Sequence, residues 1–203
     1  EIKKEKIYSK IVNVDIRFFK RNLALIKNPY FLTEGNQQNL SFIFALAKNF
    51  KLKKNILFKT INKFKGLKFR QQIIFKSKKF TLINDSKATS YASSLDVLKS
   101  LKKVFWIIGG IPKKGDKFLL SKKDSLNIKA YIFGKNRNYF IKHLKNKVKS
   151  QVFKNLEQAL KKIILDIKLE KNDQHKTILF SPSGASFDSF NNFEDRGKKF
   201  NLL

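Results

Sequence analysis

The chain has no cysteine and no methionine, only three prolines and eight glycines, and 15 acidic residues against 45 basic ones. The lack of cysteine excludes disulfides and thiolate metal sites and suits a cytoplasmic setting. With proline and glycine so scarce, no Gly/Ser- or Pro-rich linker divides the chain, so boundaries must be read from the apolar pattern. No stretch approaches the roughly 18 uninterrupted apolar residues of a membrane span, and the opening EIKKEKIYSK lacks the apolar stretch of a signal peptide. There is no internal repeat, no GxxxxGK[ST] phosphate loop and no acidic cluster suited to a metal. His143 and His175 lie in Lys-rich polar segments and read as surface residues.

What is present is apolar material for one full domain and part of another: 203 residues, 42% hydrophobic, with 21 Phe. Glu at position 1, and an end at Leu203 just after what reads as a helix start, lead us to expect a piece of a longer protein. The net charge of +30 by itself suggests nucleic acid or an anionic surface as partner. Yet the only arginines are Arg17, Arg21, Arg70, Arg137 and Arg196, whereas a phosphate-reading surface favours Arg for its bidentate geometry. Lys, Asn, Ile and Phe, all encoded by A/T-rich codons, are abundant together. The charge therefore reads as compositional, spread over solvated faces.

Residues 1–35 alternate weakly, as in KIVNVDIRF, and read as irregular strands ending near Pro29 and Gly35. Asn36 can then cap a helix with Leu40, Phe44 and Ala47 at helical spacing, and a second helix is predicted from Lys54 to Phe64. After Gly66, QQIIF, the turn KSKK and FTLIN read as a β-hairpin. VFWII, AYIF and TILF have the continuous apolar character of strands buried on both faces of a parallel sheet. Helical patterns alternate with them, clearest at Leu156, Leu160, Ile163, Ile164 and Ile167. The expected fold is a Rossmann-like, doubly wound α/β domain over 67–203, preceded over 1–66 by the tail of another domain.

In such a sheet, ligands collect beyond the carboxyl ends of the strands, which directs attention to NDSKATS (84–90), GGIPKKGD (109–116), GKNRN (134–138) and SPSGAS (181–186). In the first, Asp85, Lys87 and Thr89 would point one way if the loop is extended, and an acid, an ammonium and a hydroxyl suit a polar, anionic ligand. An ordinary capping segment for a helix over Tyr91 to Leu101 explains the Asp, Ser and Thr of this loop too. In the second, Gly109 and Gly110 allow close backbone approach, and Lys113 or Lys114 supplies a point charge. The segment SPSGASFDSFNNFEDRG (181–197) leaves a buried strand through small hydroxyl residues and enters a helix, either as an anion site at the helix N-terminus or as an ordinary cap and turn. Ser186 and Phe193 would share a face if one helix spans both; with a later helix start, the intervening stretch could wrap around a ligand.

NDSKAT, then IIGG followed by lysine, then SPSGASFDSFNNFEDRG resemble, in order and spacing, motifs of the D-glutamate-adding Mur ligases, the last being similar to SPxxASxDxFxNFExRG. GNQQN (35–39) resembles the family's HNxxN helix start and GLKFR (66–70) its GLxHR segment. The resemblance runs from about residue 30 to the end. It implies an ATP- and Mg2+-dependent ligase of peptidoglycan synthesis, cytoplasmic and monomeric, that joins D-glutamate to UDP-N-acetylmuramoyl-L-alanine through an acyl phosphate. The chain would supply the end of the central ATP-binding domain (1–66) and the glutamate-binding domain (67–203). Lacking the phosphate loop, it would be inactive alone.

By resemblance, Thr89 and Lys113 would bind the α-carboxylate of D-glutamate, Ser186 and the backbone at Phe193 its side-chain carboxylate, and Lys87 would lie close by. Asn36, Asn39, Arg70 and Asp85 would lie on the nucleotide side. The family's two histidines are replaced by Gly35, which loses any ring contact toward the nucleotide, and by Phe69, which could still pack on a base but cannot hydrogen-bond, and Lys114 competes with Lys113 for the glutamate role. The alternative reading is a basic, non-enzymatic nucleic-acid-binding module. It fits less well, because most Phe residues lie inside apolar runs rather than interleaved with basic ones.

Overall fold

The computed structural model describes Val14, residues 16–170 and residues 172–203. It divides into two compact units, one ending at Lys65 and the other Gly66–Leu203.

In the first unit, helix α1 (Ile16–Leu23) leads through a short 3-10 turn, Pro29–Leu32, into α2 (Glu34–Asn49), and α3 (Lys54–Lys63) follows. The strand reading of residues 1–35 is overturned from Ile16 onward, while residues 1–13 and 15 lie outside the described residues. Ile16, Phe19 and Leu23 recur at helical spacing, and a few residues of apparent alternation cannot outweigh a full amphipathic turn. Phe31, Leu40, Phe44 and Ile61 form a small core, with Leu23, Ile26, Tyr30, Leu57 and Phe58 packed against it. Asn28 ties it together. Its amide donates to the carbonyls of Ile61 (2.8 Å) and Phe64 (2.7 Å) at the end of α3, where the Ile61 carbonyl also accepts from the Phe64 N–H (3.2 Å). The expected Asn36 cap is not formed, because α2 starts earlier: Thr33 is the extended N-cap residue and Asn36 lies in the first turn.

The second unit is a six-stranded sheet in the order β1-β2-β6-β3-β4-β5. The hairpin β1 (Gln72–Lys76) and β2 (Phe80–Asn84) is antiparallel, with an irregularity between Ile73 and Phe75. The chain continues through α4 (Tyr91–Ser100), β3 (Val104–Gly109), the single turn α5 (Lys122–Ser125), β4 (Ile128–Phe133), α6 (Arg137–Leu144), β5 (Lys149–Phe153), α7 (Leu156–Leu169), β6 (Lys176–Phe180) and α8 (Phe193–Leu202). All pairings from β2 to β5 are parallel.

Both faces of this sheet are covered, so its strands are apolar throughout. On β3, Trp106 and Ile108 enter the core built with α4 and α6, while Phe105 and Ile107 enter the one built with α7 and α8. This is the two-residue alternation of a strand with apolar residues in both registers. The connections after β2, β3 and β4 run over the first face, but β6, inserted between β2 and β3, sends its chain to the second. Neighbouring strands whose chains leave in opposite directions open a crevice at their carboxyl ends. Here β6 has such a neighbour on each side.

Candidate active site

The loops bordering that crevice follow β2, β6 and β3, and hydrogen bonds bind them to one another. Asp85, buried just beyond β2, accepts from the Ser181 hydroxyl (2.9 Å) and the Gln71 N–H (3.1 Å). Burial pushes its carboxyl up to about 7, against the hydrogen bonds from Ser181 and Gln71 and the positive charge of Arg70. Ser181 continues into a buried hydroxyl network with Ser94 (2.7 Å), which reaches Ser183 (2.6 Å), and the Ser181 carbonyl accepts from the Trp106 indole (2.7 Å). The network fixes the start of the β6 loop, where Ser183 adopts a positive φ of 55°.

The Gly109–Gly110 pair makes its close approach to protein rather than to a ligand. Ile111 and Ala185 exchange backbone hydrogen bonds of 2.8 and 2.7 Å, and the Gly109 N–H donates to the Pro182 carbonyl (3.0 Å). A Cβ on Gly110, whose φ is +104°, would lie 2.4 Å from the Ala185 oxygen. The loop carrying Lys113 is thereby pinned to the loop carrying Ser186. Lys113 and Lys114 themselves are exposed, beside a tight turn closed by Asp116 N–H to the Lys113 carbonyl (3.2 Å).

The structure decides between two pairs of alternatives that the sequence leaves open. The NDSKATS loop is not extended, because the Ala88 N–H bonds back to the Asp85 carbonyl (2.9 Å). Asp85 is consequently buried, Lys87 half-buried and Thr89 exposed, rather than all three lying on one face. The capping role falls to Ser90, which makes a capping box with Ser93. Nor do Ser186 and Phe193 share a helix: α8 begins only at Phe193, capped by Asn192, and the preceding residues form turns in which the Ser186 carbonyl accepts from Ser189 and Phe190. Ser186 is buried.

The structure does bring Lys87 to Phe193, with the ammonium 3.9 Å from the ring centre. Arg70 is exposed at the entry to the unit, close enough to Asp85 to lower its pKa. Asn36 and Asn39 belong to the first unit. Asn39 is exposed, whereas Asn36 is buried with its amide donating to the Tyr30 carbonyl (2.6 Å).

Sequence reasoning missed Arg196, which is fully buried. It donates to the Ser86 carbonyl (2.7 Å), the Ser86 hydroxyl (3.0 Å) and the Gly184 carbonyl (2.8 Å). Burial lowers its pKa to about 10, opposed by the charge of Asp188, so it remains a cation at neutral pH. Ser86 in turn donates to the Phe193 carbonyl (2.8 Å), and Asn84 donates to the Gly197 carbonyl (2.8 Å). The available signal was rarity: in a chain with so few arginines, one placed between carbonyl-rich loops marks a need for a planar fork that lysine cannot supply.

A doubly wound α/β unit whose polar residues gather at a carboxyl-edge crevice belongs to a class of folds that bind their ligands there. In fold, it is similar to the crystal structure of MurF from Acinetobacter baumannii, with a TM-score of 0.52 at 19% identity, covering 74% of this chain and 35% of that one. No family model matches the chain. Among curated proteins it is 35% identical over 168 residues to a UDP-N-acetylmuramoylalanine–D-glutamate ligase of Rickettsia felis, covering 83% of this chain and 37% of that protein. It is 33% identical over 192 residues to the ligase of the same name from a Wolbachia of Brugia malayi, covering 95% of this chain and 38% of the relative. Over most of its length the chain matches this family of Mur ligases. It spans less than two fifths of the length of these relatives.

Proposed function

We propose that this chain is the carboxyl-terminal part of an ATP-dependent ligase that joins D-glutamate to UDP-N-acetylmuramoyl-L-alanine in the cytoplasm. Residues 67–203 would bind the amino acid, and residues 1–66 would complete the central ATP-binding domain. The observation that carries this reading is the convergence of the β2, β3 and β6 loops, joined by Asp85–Ser181 and Ile111–Ala185 contacts, in a chain 33–35% identical to ligases of that name.

The reaction must hold two carboxylates while a neutral amine attacks an acyl phosphate. Fixed cations and hydrogen-bond donors achieve that with little reorganisation. Lys87, Thr89 and Lys113 would meet the amino acid from two of the loops, and Ser186 with the Phe193 amide from the third. Phe193 occupies the first position of α8, where an N–H has no acceptor within its helix.

ATP and Mg2+ would be held mainly by residues outside this chain. Among the described residues no three His, Cys, Asp or Glu side chains come together to hold a metal. Exposed Arg70 is free to meet a phosphate. Asp85 has acceptor capacity left for a ribose hydroxyl, since among the described residues its side chain accepts two hydrogen bonds, fewer than the lone pairs of a carboxyl group allow. Asn36 and Asn39 are the first unit's own candidates for meeting the nucleotide. The comparisons lend no support to a nucleic-acid-binding module.

The test is phosphate release by the full-length protein supplied with ATP, Mg2+ and UDP-N-acetylmuramoyl-L-alanine. Release with D-glutamate but not with L-glutamate or without amino acid is the expected result. Release that ignores the amino acid would reject the assignment.

A further inference from the structure

The contact between Lys87 and Phe193 joins two of the three loops, and the family resemblance assigns no role to the ring. Both partners are held in place by their backbones. The Lys87 N–H donates to the Phe69 carbonyl (3.0 Å), and the Phe193 carbonyl accepts from Ser86, the residue preceding Lys87. The Asn192 side chain caps the same helix start by accepting from Asp195 N–H (2.7 Å). Among the described residues Lys87 makes no ion pair.

An ammonium held by a carboxylate is neutralised, and an incoming anionic substrate must displace that partner before it can bind. An ammonium resting on an aromatic face is oriented by the ring quadrupole but keeps its net charge, and the hydrogens facing away from the ring remain available. Ring and substrate carboxylate can therefore engage the same lysine at once, from opposite sides. We propose that the Phe193 ring is a positioning residue that orients the Lys87 ammonium toward the amino-acid carboxylate without neutralising it. This rests on the reading of the crevice as the D-glutamate site.

The experiment uses the full-length protein with Phe193→Leu, which removes the π face at similar apolar bulk, Phe193→Tyr, which keeps it, and Lys87→Gln. Phe193→Leu is expected to raise the KM for D-glutamate about 3- to 10-fold, the range a partly desolvated cation–π contact supports, with kcat changed by less than about twofold. Phe193→Tyr should retain the wild-type KM. In the Lys87→Gln background, adding Phe193→Leu should cost nothing further, since the contact it removes is already gone. In spectra of protein carrying 13C-labelled lysine, the Lys87 ε-methylene protons should be shifted upfield by the ring, and the shift should vanish in Phe193→Leu.

Ordinary Lys87 resonances in the wild type would overturn the contact itself. An unchanged or lowered KM in Phe193→Leu, or additive losses in the double variant, would overturn the positioning role even if the contact is present. A wild type that shows the upfield shift but no D-glutamate-dependent phosphate release would instead overturn the ligase reading, and the ring's role with it.

Discussion

Arg196 is enclosed mainly by oxygens that carry no formal charge, two backbone carbonyls and a serine hydroxyl. Hydrogen bonds to a charged group contribute about 1.5–3 kcal/mol each, and a buried acceptor deprived of its donor carries its own desolvation penalty. Arg196→Ala should therefore destabilise the protein by on the order of 3 kcal/mol or more, measured as a lower urea midpoint. Arg196→Lys should recover only part of that, because a single ammonium cannot reproduce the fork. Full recovery by lysine would show that charge rather than geometry is what the site needs. At this scale, the sequence offers candidates where a local motif carries them. Ser186, Phe193 and Lys87 could be named from a motif, but Arg196 acts on carbonyls 12 and 110 positions away, and nothing in its immediate surroundings announces them.

The two-stranded bridge between Ile111 and Ala185 is the smallest element of the unit, and glycine makes it possible. Gly184 would meet the Gly109 oxygen at 2.9 Å if it carried a Cβ, and the corresponding clash at Gly110 is tighter still, with a backbone conformation that L side chains rarely adopt. Gly110→Ala should cost on the order of 2 kcal/mol and free the Lys113 loop from the Ser186 loop, raising the KM for the amino acid more than it lowers kcat. Equal kinetics in the variant would mean that the loops hold their places without the bridge. Larger elements were legible where burial is two-sided: β3, β4 and β6 stand out as apolar runs, and α7 by its period. The edge strand β5 was not anticipated because KSQVF is almost wholly exposed and so carries no apolar run. Likewise α1 was mistaken for strand because its sequence alternates briefly before the helical spacing shows.

Across the second unit, Asp85 links the entry segment at Gln71, the end of β2 and the β6 loop, so its ionisation bears on the stability of the whole sheet. With its pKa raised from an ordinary 3.8 to about 7, it binds a proton more tightly in the folded chain than in the unfolded one. Its contribution to stability is full below about pH 4 and is lost as the pH rises through about 7. The wild-type unfolding midpoint should fall between about pH 5 and about pH 8 relative to that of Asp85→Asn, which has no carboxyl to ionise; parallel curves would reject the raised value. At the scale of the whole chain, Asp85 is one of only 15 acidic residues, and the NDSKAT motif pointed to it, but its burial and its bonds to Gln71 and Ser181 depend on segments far away in the sequence.

The strand order also governs how the domain is made. No direct pairing joins β2 to β3. The gap between them is filled by β6, which follows every other strand in the chain. As the polypeptide leaves the ribosome, the early hairpin and the β3-β4-β5 half can form, but each presents a bare strand edge toward the vacant middle until residues 176–180 emerge. Such edges invite pairing with other chains. The strand that later shapes the carboxyl-edge crevice is also the one whose arrival ends the period in which the nascent protein is most exposed to aggregation.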